Sequence, residues 1–363
     1  MDKLTVVLDV MGGDNGPEAA VGGALLALSQ TDVSKLFLVG QEDVIDGLIK
    51  KAVDGGQYGK SLDLSRLEVV HAPEIIGTDE VPTVALKAKK NSSIVVGLNL
   101  VKEGKASAFV SAGSTGAVLA GGTTIVGRIR GIKRPALGVM LPSTSGFTFL
   151  TDSGANVDAK PEYLLQFAQM GSIYMSAMMG VDKPRVGLVN VGAEREKGNA
   201  VVKEAHELLE SQSKHLGINF VGNVEGRDIP LRVVDVAVCD AFVGNVILKY
   251  AEGFAKGIMS ILKEELMAGP MSKIGAMLSK SAYKRLRKRF DYNEVGGAPF
   301  IGLNGLVVKA HGSSNEVAIK SAIGQCTKFI QADVPSLIRK NLEMLDNIEN
   351  IDNINFDNAK GEN

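Results

Sequence analysis

The chain of 363 residues contains no tryptophan, and aromatic residues make up only 5% of it. Proteins that bind single-stranded nucleic acids stack bases on aromatic side chains, so this composition disfavours such a platform. It also disfavours a β-sandwich. The 42 glycines, together with frequent valine, alanine and isoleucine, instead favour the tight packing of an α/β protein.

Cysteine, histidine and excess charge are also scarce. The two cysteines, Cys239 and Cys326, are too few for a disulfide framework and predict a reduced, cytoplasmic protein. The four histidines lack metal-ligand spacing, so no zinc pattern exists and we expect no metal. The net charge is −1, from 40 basic and 41 acidic residues, which excludes an overall basic field for nucleic acid.

Long hydrophobic runs are nearly absent as well. The uncharged segment 106–127 is long enough to span a bilayer, but it consists mostly of glycine, alanine, serine and threonine. We interpret it as a buried strand, a loop and a helix. The apolar run near the N-terminus is broken by Asp9 and two glycines, so we expect no signal peptide.

Short β-branched runs alternate with helix-length segments along most of the chain. Near-continuous apolar strands are typical of a parallel sheet covered on both faces, so we predict a three-layer α/β/α fold with a mostly parallel sheet. The predicted strands are 4–10, 35–39, 67–71, 106–110, 136–140, 147–151, 185–189, 218–221, 233–238 and 305–309, and the main predicted helices are 17–28, 116–126, 160–179, 199–211 and 245–267.

The domain organisation carries no sharp boundary, because the chain has neither an internal repeat nor a Pro/Ser linker. We predict a single α/β catalytic domain over 1–335, or two subdomains around one cleft. The Asn- and Asp-rich residues 346–363 are predicted to form a flexible tail.

Small polar residues follow strand after strand, in the segments MGGDNG, SAGSTGA, DSGANVDAK, NVGAEREKGN, CDAFVGN and KAHGSSN. Ligands of open α/β sheets bind at the carboxyl ends of the strands. Six such segments therefore predict one composite site built from many loops. Any single segment is weak evidence, since glycine is ordinary at a turn between strand and helix.

The first segment, LDVMGGDNGPE, raises the question of a dinucleotide-binding loop. Gly12, Gly13 and Gly16 give the pattern G-G-x-x-G, which lacks the dinucleotide spacing G-x-G-x-x-G. The carboxylate of Asp14 would repel a phosphate in direct contact. We interpret the two adjacent glycines as permitting close backbone approach, with Asp9 or Asp14 positioning a cation such as His311 or Lys197.

Two segments resemble anion sites. SAGSTGA offers backbone N–H groups and the hydroxyls of Ser111, Ser114 and Thr115, but it lacks the lysine of a P-loop. A tight turn with hydroxyl N-caps is the alternative. In KAHGSSN, His311 follows a strand directly and suits either an acid/base role or a structural hydrogen bond to the loop.

The remaining segments carry charged and amide side chains. In NVGAEREKGN, Lys197 could clamp a phosphate with Glu194 orienting it, or the segment could be a solvated loop. Cys239 lacks the base that a catalytic thiolate needs, so we interpret it as a buried structural residue. Its neighbours Asp240 and Asn245 are better candidates for the site.

Residues 267–290 predict a basic amphipathic helix. Apolar residues recur every three or four positions, and lysine and arginine crowd the other positions. Such a helix suits an anionic membrane or an acidic partner, although it also fits an ordinary solvated helix packed on its own core. The candidate docking residues are Lys280, Lys284, Arg285, Leu286, Arg287 and Lys288.

Taken in order, several segments resemble the phosphate acyltransferase family of bacterial phospholipid synthesis. They are LDVMGGDNGPE, SAGSTGA, VGRIRGIKRPALG, GANVDAKPEYLLQFAQMGSIY, PRVGLVNVGAEREKGN, NFVGNVEGRD, DVAVCDAFVGNVILK and VVKAHGSSN. The resemblance extends over residues 4–330. The chain departs from the family at Ser114, where asparagine is common, and at Val243, which has no hydroxyl to contribute.

The resemblance implies a reaction in which a long-chain acyl group passes from acyl carrier protein to inorganic phosphate. The acyl phosphate would then serve a membrane glycerol-3-phosphate acyltransferase. It also implies the fold shared by phosphotransacetylases and isocitrate-type dehydrogenases, a homodimer and peripheral membrane association. Two rival enzymes are a short-chain phosphotransacylase that uses acyl-CoA and an NAD-linked β-decarboxylating dehydrogenase.

Phosphate is already a nucleophile, so we expect no cofactor and no covalent intermediate. The predicted catalytic residues are Lys197, His311 and Asn245, with His311 or Lys197 protonating the leaving thiolate. The candidate phosphate- or substrate-binding residues are Gly12, Gly13, Asp14, Ser111, Gly113, Ser114, Thr115, Gly116, Asn156, Lys160, Asn190, Glu194, Asn199, Asp240, Gly312, Ser313 and Ser314.

Overall fold

The computed structural model describes residues 4–56, 58, 62–290 and 296–343, with the side chains of 287–290 left out. The predicted tail 346–363 lies outside the described residues. The strands are β1 (Thr5–Asp9), β2 (Lys35–Gly40), β3 (Leu67–His71), β4 (Ala108–Ser111), β5 (Ala136–Ser143), β6 (Gly146–Thr151), β7 (Arg185–Val189), β8 (Asn219–Val224), β9 (Val236–Val238), β10 (Ala298–Ile301) and β11 (Leu306–Lys309).

The helices alternate with these strands along the chain. They are α1 (Gly16–Gln30), α2 (Glu42–Asp54), α3 (Pro82–Ala88), α4 (Ser93–Lys102), α5 (Thr115–Gly121), α6 (Pro161–Met179), α7 (Ala200–Gln212), α8 (Asp228–Leu231), α9 (Ala241–Met267), α10 (Pro270–Leu278), α11 (Lys280–Phe290) and α12 (Glu316–Ala332). A π-helical turn, Gly122–Val126, continues α5.

The described strands form one sheet in the order β3-β2-β1-β4-β11-β10-β5-β6-β9-β7-β8. The first five strands run parallel to one another, and so do the last four. Three antiparallel pairings, through β10 and β5, join these two half-sheets and reverse the strand direction between them. The predicted mostly parallel α/β sheet is therefore confirmed, and β10 is a strand that the sequence prediction missed.

The register brings the carboxyl ends of the two half-sheets to nearly the same height. Ala298 lies opposite Lys309 at the end of β11, and Ile301, three residues on, lies opposite Ala136. Thr151, at the end of β6, lies opposite Gly138. Because the antiparallel ladder reverses direction, β6 and β11 end within about one residue of each other along the strand axis.

Alternate residues of each strand pack on opposite faces of the sheet, as the period of two requires. Val6 and Leu8 pack with α1 and α12 in one core, whereas Val7 packs with α4 and α5 in another. The helices α1 and α12 lie very close, since a Cβ added at Gly23 would be 2.5 Å from Cβ of Ile319. Helices on both faces give the three layers.

The prediction of one amphipathic helix over 267–290 is wrong. After α9 ends at Met267, the structure has two helices there, because α10 begins at Pro270 and α11 begins at Lys280. Gly269 takes an extended conformation and Pro270 occupies the first helical turn. Proline is tolerated at that position and disrupts a helix interior, so the chain restarts a helix rather than continuing α9.

Candidate active site

Three glycine-containing turns follow β1, β4 and β11 and pack against one another. A Cβ added at Gly12 would be 2.5 Å from the backbone nitrogen of Gly113. One added at Gly13, whose φ is +100°, would be 3.1 Å from the carbonyl oxygen of Gly312. The backbone nitrogen of Asp14 donates to the same carbonyl at 2.7 Å. Only glycine permits these close approaches, so the adjacent glycines join the three turns.

A buried carboxylate fixes two of these turns. Asp9 Oδ2 accepts a hydrogen bond from Ser111 Oγ at 2.6 Å, and Asp9 Oδ1 accepts one from the backbone nitrogen of Met11 at 3.1 Å. Ser111 Oγ in turn accepts from the backbone nitrogen of Gly113 at 3.0 Å. Burial raises the pKa of Asp9 against the opposing effect of the Ser111 hydrogen bond.

A lysine that the sequence analysis did not select lies beneath the same turns. Lys309, the last residue of β11, is only 9% exposed. Its Nζ donates to the carbonyl oxygens of Ala112, at 3.1 Å, and Ala310. The charges of Asp9 and Asp14 act on this ammonium group. The cation near the two carboxylates is thus Lys309, where the sequence interpretation proposed His311 or Lys197.

The turn after β11 holds His311 in a defined orientation. The backbone nitrogen of Ser313 donates to His311 Nδ1 at 3.2 Å, and Ser313 Oγ lies 2.8 Å from the same atom. Nε2 therefore faces α9, where Lys249 Nζ lies at 3.4 Å and Glu252 Oε2 at 3.7 Å. Burial opposes ionisation of Glu252, but hydrogen bonds from His311 and Lys249 lower its pKa to about 2.

Helix α9 connects this turn to the loop that follows β6. Ala241, the first residue of α9, donates its backbone N–H to the carbonyl of Asn156 at 2.9 Å. Two turns later, Lys249 lies beside His311. Asn245 is exposed and shares a helix face with Lys249, four residues on. The predicted residue Asn245 therefore lies one helical turn from the His311 contact.

The loop after β6 is built around Asp152, which is fully buried. Its carboxylate accepts hydrogen bonds from the backbone nitrogens of Leu137, Gly154, Ala155 and Asn156, and from the side-chain amide of Asn156. Asn156 Nδ2 also donates to the carbonyl of Pro135. The Asn156 side chain thus fastens the loop, a structural role that differs from the predicted contact with substrate.

Asp240 and Ser114 cap helices. Asp240 Oδ1 accepts from the backbone nitrogen of Val243 at 2.8 Å at the start of α9. Ser114 Oγ accepts from the backbone nitrogen of Ala117 at 3.4 Å at the start of α5. Val243 takes part in this cap through its backbone N–H. Both side chains therefore cap their own helices. For Ser114, this is the hydroxyl N-cap that the sequence analysis gave as the alternative to an anion site.

The segment after β7 forms a separate loop. Asn190 Nδ2 donates to the carbonyl of Lys197 at 3.0 Å, and Asn223 Nδ2 donates to that of Glu194 at 2.9 Å. Asn199 caps α7, while Arg195 pairs with Glu210 on the same helix. The loop's hydrogen bonds and ion pairs thus run within itself and to α7 and β8.

The exposed cations of these loops also have definite places. The side chains of Lys197 and Lys160 are exposed, and Lys160 precedes the first residue of α6.

Thr115 and Gly116 begin α5, where a Cβ added at Gly116 would be 2.7 Å from Pro82 Cγ. Ser314 is buried, and its carbonyl accepts from Asn15 Nδ2 at 3.0 Å. Asn15 is a second residue of this cluster that sequence reasoning missed.

The described side chains bear on two kinds of chemistry, catalysis by a thiol nucleophile and metal binding. Cys239 is buried, and burial raises its pKa well above the ordinary value, as expected for a structural thiol rather than a nucleophile. Within residues 4–56, 58, 62–290 and 296–343, no group of three or more His, Cys, Asp or Glu side chains is arranged to hold a metal ion.

The helices α10 and α11 expose both apolar and basic side chains. Met271 and Leu278 are 80% and 78% exposed, and Lys280, Lys284, Arg285 and Leu286 are also exposed. The predicted docking residues Arg287 and Lys288 lie among the side chains that are not described. No helix in the described part of the chain is both long and apolar enough to cross a lipid bilayer. Because Met271 and Leu278 are so exposed, these apolar side chains of α10 are not packed on this chain's own core.

Comparison with known proteins agrees with the expectation from the sequence motifs. Residues 4–337 match the model of the family described as "fatty acid synthesis protein". The phosphate acyltransferase of Caldanaerobacter subterraneus subsp. tengcongensis is 48% identical over 94% of this chain and 98% of its own length. That of Clostridium acetobutylicum is 45% identical over 94% of this chain and its entire length.

A solved structure shows the same fold. The phosphotransacetylase of Streptococcus pyogenes superposes with a TM-score of 0.58 and 18% sequence identity, covering 91% of this chain and 95% of its own. This likeness concerns the fold, whereas the high identities over nearly the whole chain define its relatives. The chain belongs to the phosphate acyltransferase family, and is an acyltransferase.

Proposed function

We propose that this enzyme transfers a long-chain acyl group from acyl carrier protein to inorganic phosphate. A phosphate oxygen attacks the thioester carbonyl, a C–O bond forms, and the tetrahedral intermediate then expels the carrier thiolate. The products are an acyl phosphate and the free carrier thiol, which takes up one proton. The acyl phosphate would be consumed by a membrane glycerol-3-phosphate acyltransferase.

The observation that carries this proposal is the junction of the three turns after β1, β4 and β11. It combines the close-packed backbone at Gly12 and Gly113, the hydroxyl of Ser313 and the buried cation of Lys309. Backbone N–H groups, hydroxyls and a lysine are the groups that bind a phosphate dianion and stabilise an oxyanion. Because phosphate is itself the nucleophile, the enzyme's task is to bind and orient it against the thioester.

Asn245 and His311 suit the second half of the reaction. Asn245 is exposed on the first turns of α9, where its amide can donate to the developing oxyanion. His311, in the turn after β11, lies beside Lys249, which is one helical turn further along α9. A thiol has an ordinary pKa of about 8.5, so protonation by His311 would assist departure of the thiolate. Lys197 is the alternative acid, on the loop after β7.

The test is phosphate-dependent release of free carrier thiol from long-chain acyl-carrier protein. We expect thiol to appear in proportion to acyl phosphate, and His311→Ala to lower kcat by about 100-fold, the usual size of an acid–base contribution. Lys197→Ala serves as the comparison. Equal activity with short-chain acyl-CoA would support the rival transacylase, and thiol release without phosphate would overturn the proposal. A change in the fluorescence of a nicotinamide cofactor when it is titrated with the enzyme would instead support the dehydrogenase.

We further propose that helices α10 and α11 attach the enzyme peripherally to an anionic membrane, and that the same basic surface can recruit the acidic carrier protein. Exposed apolar and basic side chains together suit the headgroup region of a lipid surface. An acyl phosphate with a long chain is itself amphipathic, so release beside a membrane would favour its transfer to a membrane enzyme.

Leu278→Glu is expected to reduce co-sedimentation with anionic vesicles by at least tenfold, since it replaces an apolar side chain that is 78% exposed with a charge. Ser272→Glu adds the same charge at an exposed polar position of α10 and should bind nearly as well as the wild type. Vesicle binding that is equal in both variants would overturn membrane attachment. If the KM for carrier protein depends on salt but not on vesicles, the basic surface of α10 and α11 binds the carrier protein and not the membrane.

A second exposed stripe, on α9, supports the proposal of a homodimer. Phe242, Val246, Tyr250, Phe254 and Ile258 recur at intervals of four residues, and all are exposed. A contiguous apolar face of this length is typical of a subunit interface. Sedimentation velocity at micromolar concentration should therefore give twice the mass of the 38.3 kDa chain, and a monomer would contradict the proposal.

A further inference from the structure

Lys309 is a charged residue buried at the centre of the three joined turns. It ends β11 between β4 and β10, and its side chain reaches across to the carbonyl of Ala112 in the turn after β4. Its second hydrogen bond goes to the carbonyl of Ala310. Both partners are neutral, so the hydrogen bonds orient the ammonium group without cancelling its charge.

Neither of the two nearby carboxylates, Asp9 and Asp14, forms a close ion pair with Lys309. Asp9 accepts hydrogen bonds from Ser111 and from the backbone of Met11, and Asp14 is exposed in the turn after β1. Within the described part of the chain, no carboxylate oxygen lies within the 4.0 Å ion-pair distance of Lys309 Nζ. A buried ammonium group is costly without a close counter-ion, so an anion bound beside it would be stabilised.

We propose that Lys309 is a phosphate-binding residue: it holds the Ala112–Ser114 turn through the Ala112 carbonyl and supplies the positive charge that pairs with a dianion at the joined turns. This inference rests on the proposed function and assigns part of it to a single side chain. A bound phosphate would supply a close counter-ion to the ammonium group. Its binding is therefore tied to the protonated form of Lys309.

The burial of Lys309 makes that protonation sensitive to pH. Burial, opposed by the charges of Asp9 and Asp14 and assisted by the charge of Lys249 on α9, lowers the pKa of Lys309 to about 8. His311, two residues on, contacts the same Lys249. A pKa lowered below the ordinary value means that the ammonium form is complete near pH 6 and is lost as the pH rises through about 8.

The mutational test compares Lys309→Met with Lys328→Met in the phosphate-dependent thiol-release assay. Methionine keeps the length and apolar stem of lysine but removes the charge. We expect the KM for phosphate to rise about 10-fold to 100-fold, the usual effect of losing a charge-assisted contact, with a smaller change in the KM for the acyl donor. Lys328 is exposed on α12 and should leave both constants unchanged.

A measurement on the unmodified enzyme keeps the inference testable if Lys309→Met fails to fold. Sulfate is a dianion at every pH from 6 to 10, so its inhibition constant against phosphate reports the enzyme's charge alone. We expect this constant to rise up to about tenfold per pH unit above pH 8 in the wild type and in Lys328→Met. In folded Lys309→Met it should be weak already at pH 7 and flat through pH 8.

The outcomes separate the inference from the function on which it rests. If the wild type releases no thiol in response to phosphate, the proposed function fails. If it does so, but sulfate inhibition is independent of pH between 7 and 9, the assignment of Lys309 is wrong. The assignment is also wrong if folded Lys309→Met keeps a KM for phosphate within twofold of the wild type. A loss of kcat with unchanged KM would assign Lys309 to folding of the turn alone.

Discussion

Gly12→Ala is expected to lower kcat/KM for phosphate-dependent thiol release by about 100-fold. The added Cβ would lie 2.5 Å from the nitrogen and 2.8 Å from Cα of Gly113, and 2.7 Å from Asp9 Oδ2. Two of these three atoms belong to the backbone, so the turns after β1 and β4 must separate. A displacement of about 1 Å in a site that depends on orientation can cost two orders of magnitude in rate.

The matched control is Gly47→Ala in α2, because a Cβ added there has no atom within 4 Å. Alanine in the middle of a helix should leave the rate unchanged and raise stability by about 0.5–1 kcal/mol. The steady-state constants of both variants should be measured on protein whose circular dichroism matches the wild type. A Gly12→Ala enzyme with more than a third of the wild-type kcat/KM would show that the junction of the turns is not the site.

Gly244→Ala is expected to reduce the free energy of unfolding by about 3 kcal/mol or more, an effect at the upper end for overpacking. A Cβ on Gly244 would lie 1.9 Å from the carbonyl oxygen of Asp152 and 3.0 Å from Cα of Ser153. The Asp152 loop cannot retreat easily, because its carboxylate accepts five hydrogen bonds within the loop and from β5. The strain must therefore move the start of α9.

Gly253→Ala provides the comparison within the same helix. A Cβ added at Gly253 meets no atom within 4 Å, so this change should stabilise the protein by about 0.5–1 kcal/mol. Urea unfolding, with midpoints compared at equal slope, measures both effects. Equal midpoints for the two variants would mean that α9 does not press on the Asp152 loop as closely as described.

Much of the fold was predictable because it depends on local patterns. The strands β3 and β7 begin and end where the sequence predicted, since each is a short run rich in valine and leucine. The missed strand β10 contains Pro299 and has only four residues. Its pairing with two antiparallel neighbours is set by the sheet, and a single short run carries no signal for it.

The site was predictable in part, for a related reason. The clusters of glycine and small polar residues do lie at strand ends, as the alternation of strands and helices required. Lys309 was overlooked because it precedes the polar cluster and reads as the last residue of a strand. Asn156 was assigned to substrate, but its amide donates to Asp152 in its own loop and to the carbonyl of Pro135 before β5. Which way a polar side chain points is decided by the neighbours that the folded chain brings beside it.

By itself, the sequence determined the α/β class, the glycines at the turns and the family, because these follow from local periodicity and from motifs of consecutive residues. Only the tertiary structure decided that LDVMGGDNGPE is joined to the turns of Gly113 and Gly312, with the buried charge of Lys309 beneath them. It also decided that α9 reaches His311 from the other half-sheet. The residues joined are 62 positions apart for Lys249 and His311 and 197 for Lys309 and Ala112, and only the packing of the sheet and its helices brings them together.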